Sequence, residues 1–306
     1  MIVKKVIVTG ADGFIGSRVV LNLLRDGCEV WGVGLVDNGS RINNSKYHFI
    51  KAIFEDYVYL DTKLPHFADC FFHFAWDGIH GESFKDYEKQ LNNAKYCCDA
   101  FLLSVKINCK KFVLASTINV LESMNYMTRN EIKPRYANVY AMSKLTAEMM
   151  CKTLAFQNNS FFCCGLIPTI YGEGNYSQTI INKLLENLLY NKETNLIAYD
   201  DMFDMVYVED AANAFIEIGK KGKNLKTYYV GHSKPQKIGD IVEKIKKIVN
   251  PNGVVNYNAY VLHNGIDFSL LDMSSLLDET SFSPSFDFEL SIKNTIEWIK
   301  NGKKKW

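Results

Sequence analysis

The chain carries no excess charge of either sign: 35 lysines and arginines stand against 34 aspartates and glutamates, a net of +1. Without a basic field nothing gathers a phosphate backbone, so nucleic-acid binding is not expected. No apolar run approaches the roughly 18 residues that cross a bilayer. The opening Met-Ile-Val-Lys-Lys-Val-Ile-Val is too short for a signal segment and meets Thr9-Gly10 at once. The expectation is a cytoplasmic protein with no membrane partner. Eight cysteines occur, at 28, 70, 97, 98, 109, 151, 163 and 164, but no C-x-x-C pair and no Cys/His cluster at zinc spacing. No metal is expected. Most of these cysteines lie in apolar runs such as Phe161-Phe162-Cys163-Cys164, where a reduced thiol acts as a small hydrophobe. There is no internal repeat and no low-complexity linker, and the Lys303–Lys305 run reads as a solvated tail.

What is present suits a large α/β core. The 306 residues are 47% hydrophobic and 23% charged, ample to bury a core without staples. Val3–Thr9, Glu29–Val36, Asp69–Ala75, Lys111–Ala115 and Phe161–Ile167 read as buried strands. Between them Ile15–Asp26, Tyr87–Val105 and Tyr140–Phe156 read as helices. Strand and helix alternating at this spacing predict an α/β fold with a doubly wound parallel sheet of Rossmann type. The second half is less regular, with helices expected over Gln178–Tyr190, Ile238–Val249 and Ser291–Lys300.

Thr9-Gly10-Ala11-Asp12-Gly13-Phe14-Ile15-Gly16 follows the first strand and opens the first helix. Gly10 permits the turn, Gly13 lets backbone approach a pyrophosphate, and Gly16 lets helix and strand pack closely. The helix N-terminus offers free N–H groups and partial positive charge. Gly10, Asp12, Gly13, Phe14, Ile15 and Gly16 are therefore expected to line a dinucleotide site. Such sites usually carry an acid at the end of the second strand, for the ribose 2′-hydroxyl. Here that stretch is Trp31-Gly32-Val33-Gly34-Leu35-Val36, with no carboxylate. Ser40 and Arg41 nearby suit a 2′-phosphate, which points to NADP. The alternative is that Asp37, slightly late, enters the slot and selects NAD.

A tyrosine four residues before a lysine on a helix shares its face. The ammonium then favours tyrosinate and lowers a phenol pKa that starts near ~10. Y-x-x-x-K occurs at Tyr47/Lys51, Tyr59/Lys63 and Tyr140/Lys144. Only Tyr140 follows a strand ending in hydroxyls, Ala115-Ser116-Thr117, and opens a strong helix pattern. Tyr140 is thus the candidate general acid/base.

These motifs together resemble the extended short-chain dehydrogenase/reductase family, in its nucleotide-sugar branch, through nearly the whole chain. The glycine loop matches T-G-x-x-G-x-x-G and Tyr140/Lys144 match Y-x-x-x-K. Phe72-His73-Phe74-Ala75 resembles the H-x-A segment beside the cofactor, and Ile170-Tyr171-Gly172-Glu173-Gly174 resembles V-Y-G-P-G. Phe203–Asp210 resembles R-D-F-V-Y-V-D-D, and Ile296-Glu297-Trp298 the closing helix. The resemblance implies that Thr117 hydrogen-bonds the reacting sugar oxygen, that Tyr140 moves its proton, and that Lys144 holds the nicotinamide ribose and tunes Tyr140. It implies a cofactor contact at Ala75, and that Asn92 orders the region near Lys144. It also implies a dinucleotide-binding domain over 1–165 with about 204–232, and a nucleotide-sugar lobe over about 166–203 and 233–306. The expected partners are a nucleotide-diphosphate sugar and a second copy, in a homodimer through the helices of Tyr87–Val105 and Tyr140–Phe156.

Departures narrow the reaction. Dehydratases of the branch follow the threonine with Asp-Glu, whereas this chain has Ile118-Asn119, and neither moves a proton. Phe203 stands where the family has arginine, Thr169 where asparagine precedes V-Y-G, and only five arginines occur in all. In the loop Ala75-Trp76-Asp77-Gly78-Ile79-His80-Gly81, Trp76 either stacks on nicotinamide or sugar or covers apolar surface. His80 either reaches a substrate hydroxyl or belongs to a plain loop. Together with Thr117 and Thr169 they form the candidate substrate contacts. His48, His66, His232 and His263 lack sequence partners and read as structural. The expected function is reduction of a 4-keto nucleotide sugar, with hydride from NADPH to C4 and proton from Tyr140. The alternatives are a 4-epimerase with tightly held NAD, and a non-catalytic dinucleotide-sensing regulator.

Overall fold

The structure is a computed structural model that describes residues 3–37, 42–79, 81–128, 137–232, 235–259 and 266–303. Apolar runs of the first half become strands β1 (Lys5–Thr9), β2 (Glu29–Gly34), β3 (Tyr47–Lys51), β4 (Cys70–His73), β5 (Phe112–Thr117) and β6 (Phe162–Ile167). Helices α1 (Phe14–Arg25), α2 (Tyr87–Lys106), α3 (Asn119–Thr128) and α4 (Ala137–Gln157) alternate with them. A 3₁₀ stretch, Phe54–Thr62, crosses from β3 to β4 in place of a helix. The second half supplies β7 (Thr169–Tyr171), α5 (Ile180–Leu189), β8 (Thr194–Asn195), β9 (Met202–Phe203) and β10 (Met205–Tyr207). Then come α6 (Val208–Lys221), β11 (Thr227–Tyr229), β12 (Gln236–Lys237), α7 (Ile238–Val249), β13 (Val255–Asn256), α8 (Ser274–Thr280) and α9 (Phe288–Lys300).

Seven strands form one parallel sheet in the order β11-β6-β5-β4-β1-β2-β3. The order reverses between β1 and β4, and a ligand crevice opens at the carboxyl ends of the strands there. This is the Rossmann-type sheet the alternation predicts. Helices cover both faces, so the central strands bury nearly every side chain. Val6, Ile7, Phe71, Leu114, Phe162, Cys163 and Cys164 have no more than trace exposure. Phe112 stacks between Phe71 at 5.2 Å and Phe162 at 6.2 Å across three adjacent strands. All eight cysteines are free thiols.

The later chain is tied to the glycine-loop helix by one buried ion pair. Arg18 Nη1 meets Glu209 Oε1 at 2.7 Å, and its Nη2 donates to the Glu173 carbonyl at 3.0 Å. α6 thereby lies against α1, and β11 joins the sheet beyond β6. On α7, Ile238, Ile241, Val242 and Ile245 turn inward as the periodicity predicts. Among the described residues no helix is long and apolar enough to cross a membrane.

One strand ends earlier than its composition suggests. β2 stops at Gly34, although Leu35 and Val36 continue the apolar run. Both are exposed, because their amides turn to the carboxylate of Asp12 instead of a neighbouring strand.

Candidate active site

The glycine loop folds tightly because two of its glycines leave no room for a side chain. Gly10 has φ +68°, and a Cβ there would lie 2.8 Å from the Ala75 backbone nitrogen. A Cβ at Gly16 would run into the Gly10 carbonyl. The loop therefore sits directly against Ala75 at the end of β4, and α1 starts beneath it. Thr9 Oγ1 and His73 Nδ1 share a 2.7 Å hydrogen bond that pins β1 to β4 at the same level.

Above this loop lies a cleft of about 810 Å³. Asp12, Gly13, Phe14 and Ile15 line it together with Thr117, Tyr140 and Thr169. The structure thus brings together the predicted glycine-loop, hydroxyl, phenol and threonine positions. Ser40, Arg41 and His80 lie outside the described residues. The cradle fits a dinucleotide: glycine backbone is bared at a helix N-terminus, where phosphates are favoured.

Tyr140 lies in the first turn of α4 and lines the same cleft as Thr117 at the end of β5. Its ring stacks on Phe84 at 4.6 Å and meets Trp76 edge-on at 6.2 Å. Burial pushes the phenol pKa up, and the nearby Thr117 hydroxyl only partly offsets it. The expected lowering by Lys144 is not found, for a geometric reason. Lys144 Nζ donates to the Ala115 carbonyl at 2.9 Å and lies 3.8 Å from the Trp76 ring centre. Burial pushes this lysine down to about 8. Tyr140 is therefore held as a neutral phenol, and the Lys144 cation meets a carbonyl and an indole face.

Trp76 is fixed by a residue that sequence motifs do not single out. Its Nε1 donates to Gln90 Oε1 at 2.8 Å. Gln90 Nε2 donates in turn to the carbonyls of Gly78 at 2.7 Å and Ser83 at 2.9 Å. Gln90 is completely buried on α2. The adjacent expectation for Asn92 is corrected by one residue. Asn92 is exposed, whereas buried Asn93 holds Asp77 through both its N–H at 3.0 Å and its carbonyl at 2.8 Å. Gln90, Asn93 and Cys97 recur at helical spacing on the buried face, and that periodicity was the available signal. Trp76 belongs to this wall around Lys144 and Tyr140, with Phe84 and Ile79 facing the cleft.

Two histidines have partners that the sequence did not suggest. His232 Nδ1 meets buried Asp204 at 2.8 Å, which raises its pKa, and His48 meets Glu29 at 3.0 Å. Neither His232 nor His48 borders the cleft. Among the described residues no group of His, Cys, Asp and Glu is arranged to hold a metal.

Comparison with known proteins agrees with this geometry. The chain is 23% identical to dTDP-D-glucose 4,6-dehydratase of Mus musculus, over 99% of this chain and 90% of that one. Its fold superposes on a UDP-N-acetylglucosamine 4-epimerase from Methanobrevibacter ruminantium with a TM-score of 0.81 and 24% identity, covering 99% and 100% of the two chains. It superposes similarly on a UDP-glucuronic acid 4-epimerase from Bacillus cereus in complex with NAD, with a TM-score of 0.77, 20% identity and 97% of each chain covered. The model of the NAD-dependent epimerase/dehydratase family matches residues 6–231. With the glycine cradle, the Thr117–Tyr140 pair and that match in hand, the chain belongs to the NAD-dependent epimerase/dehydratase family of nucleotide-sugar enzymes.

Proposed function

We propose that the protein is a nicotinamide-dependent reductase of a 4-keto nucleotide sugar. The observation that carries this reading is that Thr117 and Tyr140 open into the same cleft as the glycine loop. Bound nicotinamide supplies the hydride. Thr117 holds the sugar C4 oxygen, and Tyr140, kept neutral by burial, donates the proton to it. Lys144, 5% exposed, lies one helical turn after Tyr140 on α4. Its role is to hold a ribose hydroxyl once the cofactor displaces its present partners. Ile118 and Asn119 follow Thr117 and bring no acid or base to a neighbouring sugar carbon.

One feature favours reduction over epimerisation. An epimerase turns its keto sugar inside the cleft to expose both faces of C4. Here Phe84 is stacked on Tyr140, and Trp76 behind it is locked by Gln90. Such a wall suits one fixed sugar orientation. The second reading, a 4-epimerase, is supported by the carboxylate of Asp12 bordering the cleft, which suits retained NAD. The expectation of NADP rested on Ser40, Arg41 and the absence of an acid at Gly34. Asp12 weighs against the last of these.

Stoichiometry separates the two readings. Purified enzyme is incubated with candidate nucleotide-diphospho-4-keto sugars, and absorbance of the reduced cofactor is followed. One cofactor oxidised per sugar reduced is the expected result. Interconversion of reduced nucleotide sugars with no net absorbance change, from protein carrying bound NAD, would establish the epimerase instead.

A further inference from the structure

The carboxylate that β2 lacks is supplied from the glycine loop. Asp12 Oδ2 accepts the N–H groups of Leu35 and Val36, each at 2.9 Å. The rest of the carboxyl group lies where a side chain at Gly34 would begin, and a Cβ built there collides with it. Gly34 is therefore glycine because the Asp12 carboxylate already fills the space of the usual acid. Asp12 is only partly buried and borders the cleft beside Gly13 and Val36. Its second oxygen, Oδ1, takes no hydrogen bond from the described residues. A neighbouring group registers the charge. The phenol of Tyr47 lies against Gly32 on the same face of β2, and its pKa is raised by burial first and then by Asp37 and Asp12.

We infer that Asp12 reads the adenosine ribose of the cofactor, with Oδ1 accepting a ribose hydroxyl, and excludes a 2′-phosphate. Two effects produce the exclusion. The amides of Leu35 and Val36 are the backbone donors a phosphate would need here, and a carboxylate of this chain already occupies them. A phosphate dianion would also lie beside that carboxylate, and like charges at such range repel strongly when water is partly excluded. The preference is thus for NAD(H) over NADP(H). This inference rests on the cleft being a nicotinamide-dinucleotide site, which the reductase and epimerase readings share. It does not depend on which sugar reaction follows.

The test is direct binding without sugar. The full-length protein is titrated calorimetrically with NAD⁺ and with NADP⁺. NAD⁺ is expected to bind at least about tenfold more tightly, the scale of one charge-assisted hydrogen bond gained or lost. Asp12→Asn retains a side-chain oxygen for the two amides but removes the charge, so the fold should hold. In that variant the NAD⁺/NADP⁺ preference should shrink by about tenfold or more, largely through tighter NADP⁺. Asp12→Ala, which also frees the amides, should shift it further the same way. Tighter NADP⁺ than NAD⁺ in the unmodified protein, or an unchanged ratio in Asp12→Asn, overturns the inference. Failure of every keto sugar to turn over, with the NAD⁺ preference intact, would count against the reductase and leave Asp12 in its role. Binding of neither dinucleotide would overturn both.

Discussion

The Lys144 ammonium lies 3.8 Å from the centre of the Trp76 ring, so this cation of α4 is capped by an indole rather than by a carboxylate. A desolvated contact of this kind stabilises the charged form by about 2 kcal/mol, but burial acts in the opposite direction and is the first cause of the lysine's lowered pKa. The net position is about 8, against 10.5 for a free lysine. Between those values the unfolded chain binds the proton and the folded chain does not. Stability from this site therefore rises as pH rises from about 8 to 10.5, and falls as pH drops through 8. Urea unfolding of the wild type and Lys144→Met at pH 7 and pH 10 checks this. The wild type should gain on the variant at the higher pH. An equal gap at both would show that Lys144 does not titrate in that window.

Tyr140→Phe removes the proton donor and leaves the ring stacked on Phe84. Turnover should fall by about 10²–10⁴, the usual contribution of a general acid. Dinucleotide affinity measured by calorimetry should be unchanged, because the glycine loop that cradles the phosphates is untouched. Near-full activity in the variant would remove Tyr140 from its role.

Gln90→Leu keeps most of the volume but strands the Trp76 N–H and the carbonyls of Gly78 and Ser83. Leaving buried polar groups unsatisfied costs about 1–3 kcal/mol each before relaxation. The expected result is a lower urea midpoint together with a raised KM for the sugar, since the wall behind Tyr140 loosens. A variant with wild-type stability and KM would show that Gln90 does not hold the wall.

Most of the sheet was legible because parallel strands buried on both faces read as unbroken apolar runs. Val6-Ile7-Val8 and Phe112-Val113-Leu114 carry that signal plainly. β3 was missed because its residues are at most half-buried, and His48 and Lys51 interrupt the pattern. α6 was missed because it follows directly on the apolar strand β10 and begins with no capping side chain. At the site, glycine spacing and the Tyr140/Lys144 pair were readable as motifs. The reach of Asp12 to Leu35 and Val36 was not, since it depends on how two loops from different strands meet. The same applies to Lys144, whose helical spacing from Tyr140 says nothing of the indole that claims it.

Relatives of this chain include 4,6-dehydratases, which makes the absence of an acid/base pair after Thr117 decisive. Ile118 is buried, and the Asn119 backbone N–H donates to Thr117 Oγ1 at 3.3 Å. An amide side chain has no proton to exchange at neutral pH. Enzyme given nucleotide-diphospho-hexoses without a keto group should form no 4-keto-6-deoxy product. A product lighter by one water in the mass spectrum would refute this.

The outer face of α4 carries the last prediction. Met142, Met149 and Phe156 recur every seven residues there, and are 39%, 56% and 77% exposed. Beside them α2 exposes Leu91 and Leu102. Seven residues are close to two helical turns, so the three side chains of α4 form one stripe along the helix. Apolar stripes on two packed helices are what a second copy covers in a two-fold dimer, where each residue of the patch appears twice. A charge placed at the middle of the stripe is then buried twice and close to its own copy, at a cost of several kcal/mol. The wild type should elute at twice 35.0 kDa in light scattering, and Met149→Glu should elute as a monomer with an unchanged far-ultraviolet spectrum. Met149 lies away from the cleft, so dinucleotide affinity should persist in the monomer. A wild-type protein that is monomeric at micromolar concentration, or a Met149→Glu variant that remains dimeric, would place any self-association on another face.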